Sequence, residues 1–172
     1  MQRRTFLATA AAVAACPVYR ASAHVPKPYG WDFTPPMGSR EAFVGWMREA
    51  RGEDPEFTRR RWDRFQVLVA NRDLVDEWNK RAFLMTPREE FVLKHDRHRA
   101  YEHDFLDIGF GVTISGPHLV GRMTSALDVR LGDFVLEIGT GSGYQSAYLA
   151  NLTDKVWTIE IVPQLAERTR GI

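Results

Sequence analysis

The run VLEIGTGSGYQSAYLA, residues 135–150, constrains this chain more than any other stretch. Phe134 to Ile138 is short, apolar and rich in β formers, the pattern of a buried parallel strand. Gly139, Gly141 and Gly143 then alternate with Thr140 and Ser142, and Tyr144, Ala147 and Tyr148 follow at helical spacing. Strand, glycine turn and helix in that order bring backbone N–H groups and a helix start against a polar ligand. A second extended run, VWTIE at 156–160, ends in Glu160. An acid about 20 residues beyond the first glycine is placed to accept hydrogen bonds from ribose hydroxyls. Pro163 then opens another helix. The pattern is that of an α/β fold with a doubly wound, parallel sheet.

The loop admits more than one nucleotide ligand. A nicotinamide or flavin site uses G-x-G-x-x-G, whereas here the third glycine comes one residue early and Glu137 stands two residues before the first. E-x-G-x-G-x-G with a later acid is instead similar to the first two motifs of S-adenosylmethionine-dependent methyltransferases. An NAD-dependent oxidoreductase and a non-catalytic binding module are the other readings left open.

With 172 residues, 44% of them hydrophobic, the chain has the means to bury a core. Lys plus Arg number 23 and Asp plus Glu 22, so the net field is weak and nucleic acid is not an expected partner. TRRRWDR (58–64) has acids on both sides and reads as a solvated helix face. The single cysteine, Cys16, excludes an internal disulfide and a thiolate metal cluster. Nothing in the composition fixes an oligomeric state.

Residues 1–23 place two arginines before an apolar stretch, Phe6 to Ala15, and close on ASA, the order of a secretory signal. RRTFL resembles the twin-arginine signal for export in a folded state, with cleavage after Ala23. VAAC (13–16) resembles a lipoprotein box that would leave Cys16 lipidated. The stretch is shorter than the roughly 20 residues that a spanning helix needs, so no transmembrane span is expected. The expected location is the periplasm if the leader is used and the cytoplasm otherwise.

Residues 24–40, rich in proline and glycine, read as a linker. Residues 41–85 read as a helical region. Phe43, Trp46, Met47 and Ala50 share one face, and Asp54-Pro55 supplies a cap with proline at the first helical position. Phe57, Trp62, Phe65, Val69, Val75 and Trp78 are expected to line one face of a long or broken helical stretch reaching about Leu84. Thr86-Pro87-Arg88-Glu89 matches a capping box. His95, His98 and His103 read as a polar surface loop, since no cysteine joins them to complete a metal site. Beyond Gly109 and Gly111, Ser115 is the expected cap of a helix that has Pro117 in its first turn and buries Leu119, Val120, Met123 and Leu127.

From about residue 80 onward the chain resembles the protein-L-isoaspartate O-methyltransferases. TPREEFV looks like that family's VPRE.FV, AYEHDFLDIGFGVTIS like its AYED..LPIG.GQTIS, and SGPHLVGRMTSAL like its S.P..VA.MTE.L. VLEIGTGSGYQSAYLA looks like its glycine loop, and TIEIVPQLAERTRG continues the match. The resemblance implies a Rossmann-like, S-adenosyl-L-methionine-dependent methyltransferase fold at 86–172, behind the helical N-terminal region. It implies methylation of the carboxylate of L-isoaspartyl or D-aspartyl residues in damaged proteins or peptides, whose ester then closes to a succinimide. Ser115 is the implied catalytic residue, orienting the substrate carboxylate. Ile108, Gly109, Phe110, Gly111 and Thr113 would lie over cofactor and substrate. Gly139, Gly141, Ser142 and Gly143 would hold the methionine and ribose portions of the cofactor, with Glu160 on the ribose hydroxyls. No metal is implied. Val112 stands where the family has Gln, and Asp107 where it has Pro.

From Phe134 to the end run 39 residues, and a βαβ unit takes about 30. Two strands of the sheet are therefore expected, in a fold that is C-terminally incomplete. ERTRGI stops inside a helix without a capping signal, so the chain reads as the N-terminal part of a longer protein. The two strands are expected to leave an apolar edge and face open.

Overall fold

The computed structural model describes residues 19–20 and 34–170. Cys16, Ala23, most of the leader and residues 24–33 of the linker lie outside the described residues. Helix α1 (Arg40–Arg51) starts where the Ser39 hydroxyl accepts from the Ala42 N–H at 3.2 Å and turns Phe43 and Met47 inward. Helix α2 (Pro55–Ala70) has the expected cap, with Asp54 Oδ1 accepting from the Glu56 N–H at 2.8 Å and proline opening the first turn.

The helical stretch to Met85 is broken, and the one apolar face expected to include Val75 and Trp78 does not form. Helix α2 stops at Asn71 and Arg72 takes a left-handed turn with φ 60°, so the periodicity restarts in α3 (Glu77–Met85). Leu68 and Leu74 take the core positions, while Val75 and Trp78 are 64% and 54% exposed. The TRRRWDR stretch is likewise not one solvated face. Arg59 and Arg60 face water, but Arg61 falls in helical register with Trp62, Phe65 and Leu68 and is fully buried.

The TPRE segment forms no capping box. Arg88–Glu90 is a single 3₁₀ turn, the Thr86 hydroxyl donates back to the Ala82 carbonyl at 2.7 Å, and Glu89 turns inward to Arg61 at 3.0 Å. A longer 3₁₀ turn, Lys94–Arg99, leads towards the first hairpin and leaves His95 and His98 exposed.

Strand β1 (Tyr19–Arg20) precedes these helices. Strands β2 (Leu106–Gly109) and β3 (Val112–Ile114) then form an antiparallel hairpin, and α4 (Pro117–Leu127) follows. Strand β4 (Phe134–Ile138), α5 (Tyr144–Ala150), β5 (Lys155–Ile159) and α6 (Pro163–Thr169) are the last elements among the described residues. Strands β4 and β5 pair in parallel, from Phe134 opposite Lys155 to Ile138 opposite Ile159, and β1 pairs antiparallel with the other edge of β5.

Among the described residues one buried cluster runs from Phe43 to Leu165 and joins the helical region to the sheet. The rings of Phe43, Trp62 and Phe65 follow at centroid separations of 5.4 Å each, and Phe83 continues at 6.4 Å. Asn79 is a polar hub in this core: it accepts from the Tyr148 hydroxyl through its carbonyl at 2.9 Å, and its Nδ2 donates to the Gly121 carbonyl at 2.9 Å. Three helices, α3, α4 and α5, are thereby tied together.

Helix α4 buries Pro117, Val120, Gly121 and Thr124, and leaves Leu119, Met123 and Leu127 exposed, against the expected face. Close approach at Gly121, where a Cβ would stand 2.9 Å from Leu74 Cδ2, explains the difference. The small-residue side meets the core, and Met123 and Leu127 look onto an open groove. On β4, Phe134, Leu136 and Ile138 are 73%, 58% and 73% exposed and share one face, while Val135 and Glu137 point the other way.

Candidate functional site

Glycine spacing in the loop after β4 follows from backbone geometry. Gly139, Gly141 and Gly143 have φ of 90°, 56° and 85°, a region that side chains rarely enter. Their N–H groups are already spent. The Gly139 and Thr140 N–H groups donate to the Ile159 carbonyl at 2.7 and 3.2 Å, the Gly143 N–H donates to the Thr140 carbonyl at 2.8 Å, and the Gly141 N–H donates to Glu160 Oε2 at 2.6 Å. Glu160 accepts from the Val162 N–H through its other oxygen at 2.9 Å. It is buried and locks the loop to the end of β5. Each oxygen keeps a second lone pair for a further donor.

The hairpin closes over this loop. Ile108 is buried, with its Cδ1 3.5 Å from where a Cβ on Gly141 would stand, and its carbonyl accepts from Arg168 at 2.7 Å. Asp107 Oδ1 accepts from the Gly109 N–H at 3.0 Å and shapes the bulge of β2. Gly109, Phe110 and Gly111 form the tip, and Val112 packs against the core.

A groove of about 320 Å³ runs between α4 and β4 and ends at the glycine loop. Thr113 and Ser115 line one side, and Gly139, Gly141, Ser142 and Glu137 the other. Of the residues singled out in the sequence, these line one surface. Ile108 and Glu160 support the loop from behind, Gly143 is buried at the start of α5, and the hairpin tip stands outside the groove lining.

Ser115 is not the helix cap. Gly116 occupies that position without a side-chain hydrogen bond, and among the described residues no group hydrogen-bonds to the Ser115 hydroxyl. That hydroxyl is exposed and free to bind a ligand. Nearby, the ring of His118 lies against Gly116 and stacks on His103 at 3.8 Å. Burial and the neighbouring His103 push the His118 pKa below its ordinary value.

Among the described residues, Glu137 is the one charged side chain lining the groove. Burial raises its pKa above the ordinary carboxylate value, the Glu160 charge adds to the rise, and hydroxyls of Ser146 and Thr158 oppose it. Ser146 Oγ donates directly to Glu137 Oε2. The glycine pattern alone does not place Glu137 in the site. The available signal was its register: at alternate spacing with Val135 it faces inward, and an acid on the inner face of an apolar strand is anomalous. Thr140, which lines the groove and shares a 2.6 Å hydroxyl contact with Thr158, carried no such signal.

The start of α5 is held by the 3₁₀ turn at Arg88–Glu90 and the residue after it. Phe91 meets the Tyr144 ring edge-on at 5.6 Å, and the buried Arg88 guanidinium lies 4.9 Å from that ring's centroid. Burial pushes the Tyr144 phenol up to about 12.

The family model for protein-L-isoaspartate(D-aspartate) O-methyltransferase matches residues 63–171. A protein-L-isoaspartate O-methyltransferase from Ignicoccus hospitalis is 52% identical over 92 residues, covering 52% of this chain and 44% of the relative. One from Bradyrhizobium sp. (strain ORS 278) is 48% identical over 106 residues, covering 62% and 49%. The chain thus spans about half the length of the curated relatives it matches. A solved protein-L-isoaspartate O-methyltransferase superposes with a TM-score of 0.57 at 29% identity, over 64% of this chain and 37% of that one. A Plasmodium falciparum structure assigned to the same enzymes, in complex with S-adenosyl-L-homocysteine, has a TM-score of 0.52 at 20% identity, over 63% and 52%, and shows the fold alone. The fold is the Rossmann-like methyltransferase type, preceded by a helical region. By its sequence match along most of its length, the chain belongs to the protein-L-isoaspartate(D-aspartate) O-methyltransferase family.

Proposed function

We propose that this chain forms the cofactor-binding half of an enzyme that methylates the carboxylate of L-isoaspartyl and D-aspartyl residues in damaged proteins, using S-adenosyl-L-methionine. The observation that carries the reading is the groove in which the free Ser115 hydroxyl and Thr113 share a surface with Glu137 and the glycine loop. Bound beside Glu137 and the glycine loop, the cofactor would supply an electrophilic methyl group for the substrate carboxylate oxygen and would depart as the neutral thioether, which keeps the S–CH₃ electron pair.

The groove's polarity supports that cofactor over a dinucleotide. Among the described residues its one charged lining residue is an acid, which suits a ligand that carries a sulfonium and an ammonium against one carboxylate. A pyrophosphate would need free N–H donors, and those of Gly139, Thr140, Gly141 and Gly143 are engaged within the protein. Open space beside Gly139, where a Cβ would meet nothing within 4 Å, lets a ligand approach the backbone. Glu160, at the end of β5 next to the loop, retains lone pairs for ribose hydroxyls.

Substrate carboxylates are ionised at neutral pH, so this chemistry needs no strong base. Ser115 donates a hydrogen bond to the carboxylate and fixes its approach, and Thr113 flanks it. The test is transfer of labelled methyl to an isoaspartyl peptide by the protein that carries this chain. No transfer above an aspartyl control would refute the reading.

We further propose that the leader at 1–23 directs export across the membrane, supported by RRTFL, the apolar stretch and ASA. Cleavage after Ala23 would also remove β1 from the sheet. Fractionation of a C-terminally tagged protein tests this, and retention of the full-length chain in the cytoplasm would refute it.

A further inference from the structure

The tip of the β2–β3 hairpin is a two-residue turn, Phe110-Gly111, between Gly109 and its partner Val112. Phe110 and Gly111 both have positive φ, 59° and 72°. That is the dihedral sign pattern of a type I′ turn, which strongly favours Asn-Gly or Asp-Gly because an ordinary side chain is strained at the first position. A bulky aromatic there is an outlier.

Among the described residues Phe110 takes no place in the core in return. It is 57% exposed, belongs to no part of the core cluster, and among the described residues makes no ring or cation contact. Turn strain and exposed aromatic surface both count against the folded state, on a hairpin whose base is held firmly by Ile108 against Gly141 and by Arg168. Residues that carry strain without a packing return concentrate at ligand-binding sites. The tip is three residues from Thr113 and five from Ser115, both lining the groove.

We propose that Phe110 is a specificity-determining residue for the peptide substrate. Its ring packs on an apolar side chain adjacent to the isoaspartyl residue and so selects apolar sequence context. This inference rests on the reading of the groove as a methyl-transfer site for isoaspartyl peptides. Burying one apolar side chain against the ring corresponds to a preference on the order of tenfold in kcat/KM.

The experiment compares two isoaspartyl peptides that differ only in having Leu or Ser beside the isoaspartate. The wild type, Phe110→Asn and Phe110→Trp are each assayed for kcat/KM, for S-adenosyl-L-homocysteine affinity and for Tm. The wild type is expected to favour the Leu peptide about tenfold, Phe110→Asn to lose the preference while its Tm rises, and Phe110→Trp to keep the preference. No turnover of either peptide by the wild type would overturn the functional reading and this inference together. Turnover without a preference, or a preference that survives in Phe110→Asn, would overturn this inference alone. So would a loss of cofactor affinity in Phe110→Asn, which would assign the ring to the cofactor.

Discussion

Arg61→Met should be among the most destabilising single substitutions in the helical region. The guanidinium is fully buried and uses every side of its fork. Its Nε donates to the Tyr101 hydroxyl oxygen at 2.8 Å, Nη1 to the Leu84 carbonyl at 2.9 Å, and Nη2 lies 2.8 Å from Glu53 Oε2 and 3.0 Å from Glu89 Oε1. Arg51 Nε stands 2.7 Å from the other Glu53 oxygen, so Glu53 keeps one cation when Arg61 is removed. Its contacts lie at ion-pair distance without the alignment of directed hydrogen bonds, so the attraction is Coulombic. Glu89 loses its one ion pair among the described residues and keeps the Tyr101 O–H. Leaving a buried carboxylate without its partner costs about 3–5 kcal/mol, a large part of a typical stability of about 5–15 kcal/mol. Equilibrium urea unfolding of both proteins measures the loss. Replacing Glu89 by Gln in the same chain removes the stranded charge and should recover about 2 kcal/mol, within the range of coupling for contacting residues. A loss below about 1 kcal/mol, or strictly additive effects of the two substitutions, would refute the assignment of Arg61 as the charge that holds this cluster.

Gly121→Ala would place a Cβ 2.9 Å from Leu74 Cδ2 and 3.2 Å from the Asp73 carbonyl oxygen, and should cost about 1–3 kcal/mol in urea unfolding. Ser115→Ala should leave the unfolding midpoint unchanged, because the hydroxyl has no partner among the described residues, yet lower methyl transfer about 100-fold. A stability loss near the roughly 1 kcal/mol of a lost helix cap would restore Ser115 as a cap.

The parts legible in the sequence were those set by local rules. Alternating glycines announce a backbone that needs positive φ three times, and Asp54-Pro55 announces a helix start. What failed were inferences that need the third dimension. Ser115 reads as a cap because Ser is a preferred one, yet the backbone begins the helix one residue later at Gly116. Thr86 and Glu89 fit a capping box by spacing, but the pull of Arg61 and Tyr101 on Glu89 outweighs a cap worth about 1 kcal/mol. Met123 and Leu127 have helical spacing for burial, and the close contact at Gly121 decides which side of α4 faces the core. Glu160 follows the spacing of a ribose-binding acid, and the structure adds that it first holds the loop.

Glu137 and Phe110 depart from what stability alone would choose, in opposite chemical senses. A carboxylate whose pKa is raised on folding favours its protonated form in the fold. The associated stability is present at low pH and lost as pH rises through the raised value, so at neutral pH the free protein bears a net cost for the charge. A cationic ligand offsets that cost when it binds, and the affinity then depends on the carboxylate being ionised. Glu137→Gln should therefore raise the Tm at pH 7 while weakening S-adenosyl-L-homocysteine binding on the order of tenfold. In the wild type the affinity should begin to fall, on acidification, at a pH above that of an ordinary glutamate, and the variant should show no such fall. Calorimetric titration across pH, paired with thermal unfolding, separates these effects. If Glu137→Gln lowers both Tm and affinity, the carboxylate is a structural anchor for Ser146 rather than a charge held ready for the cofactor.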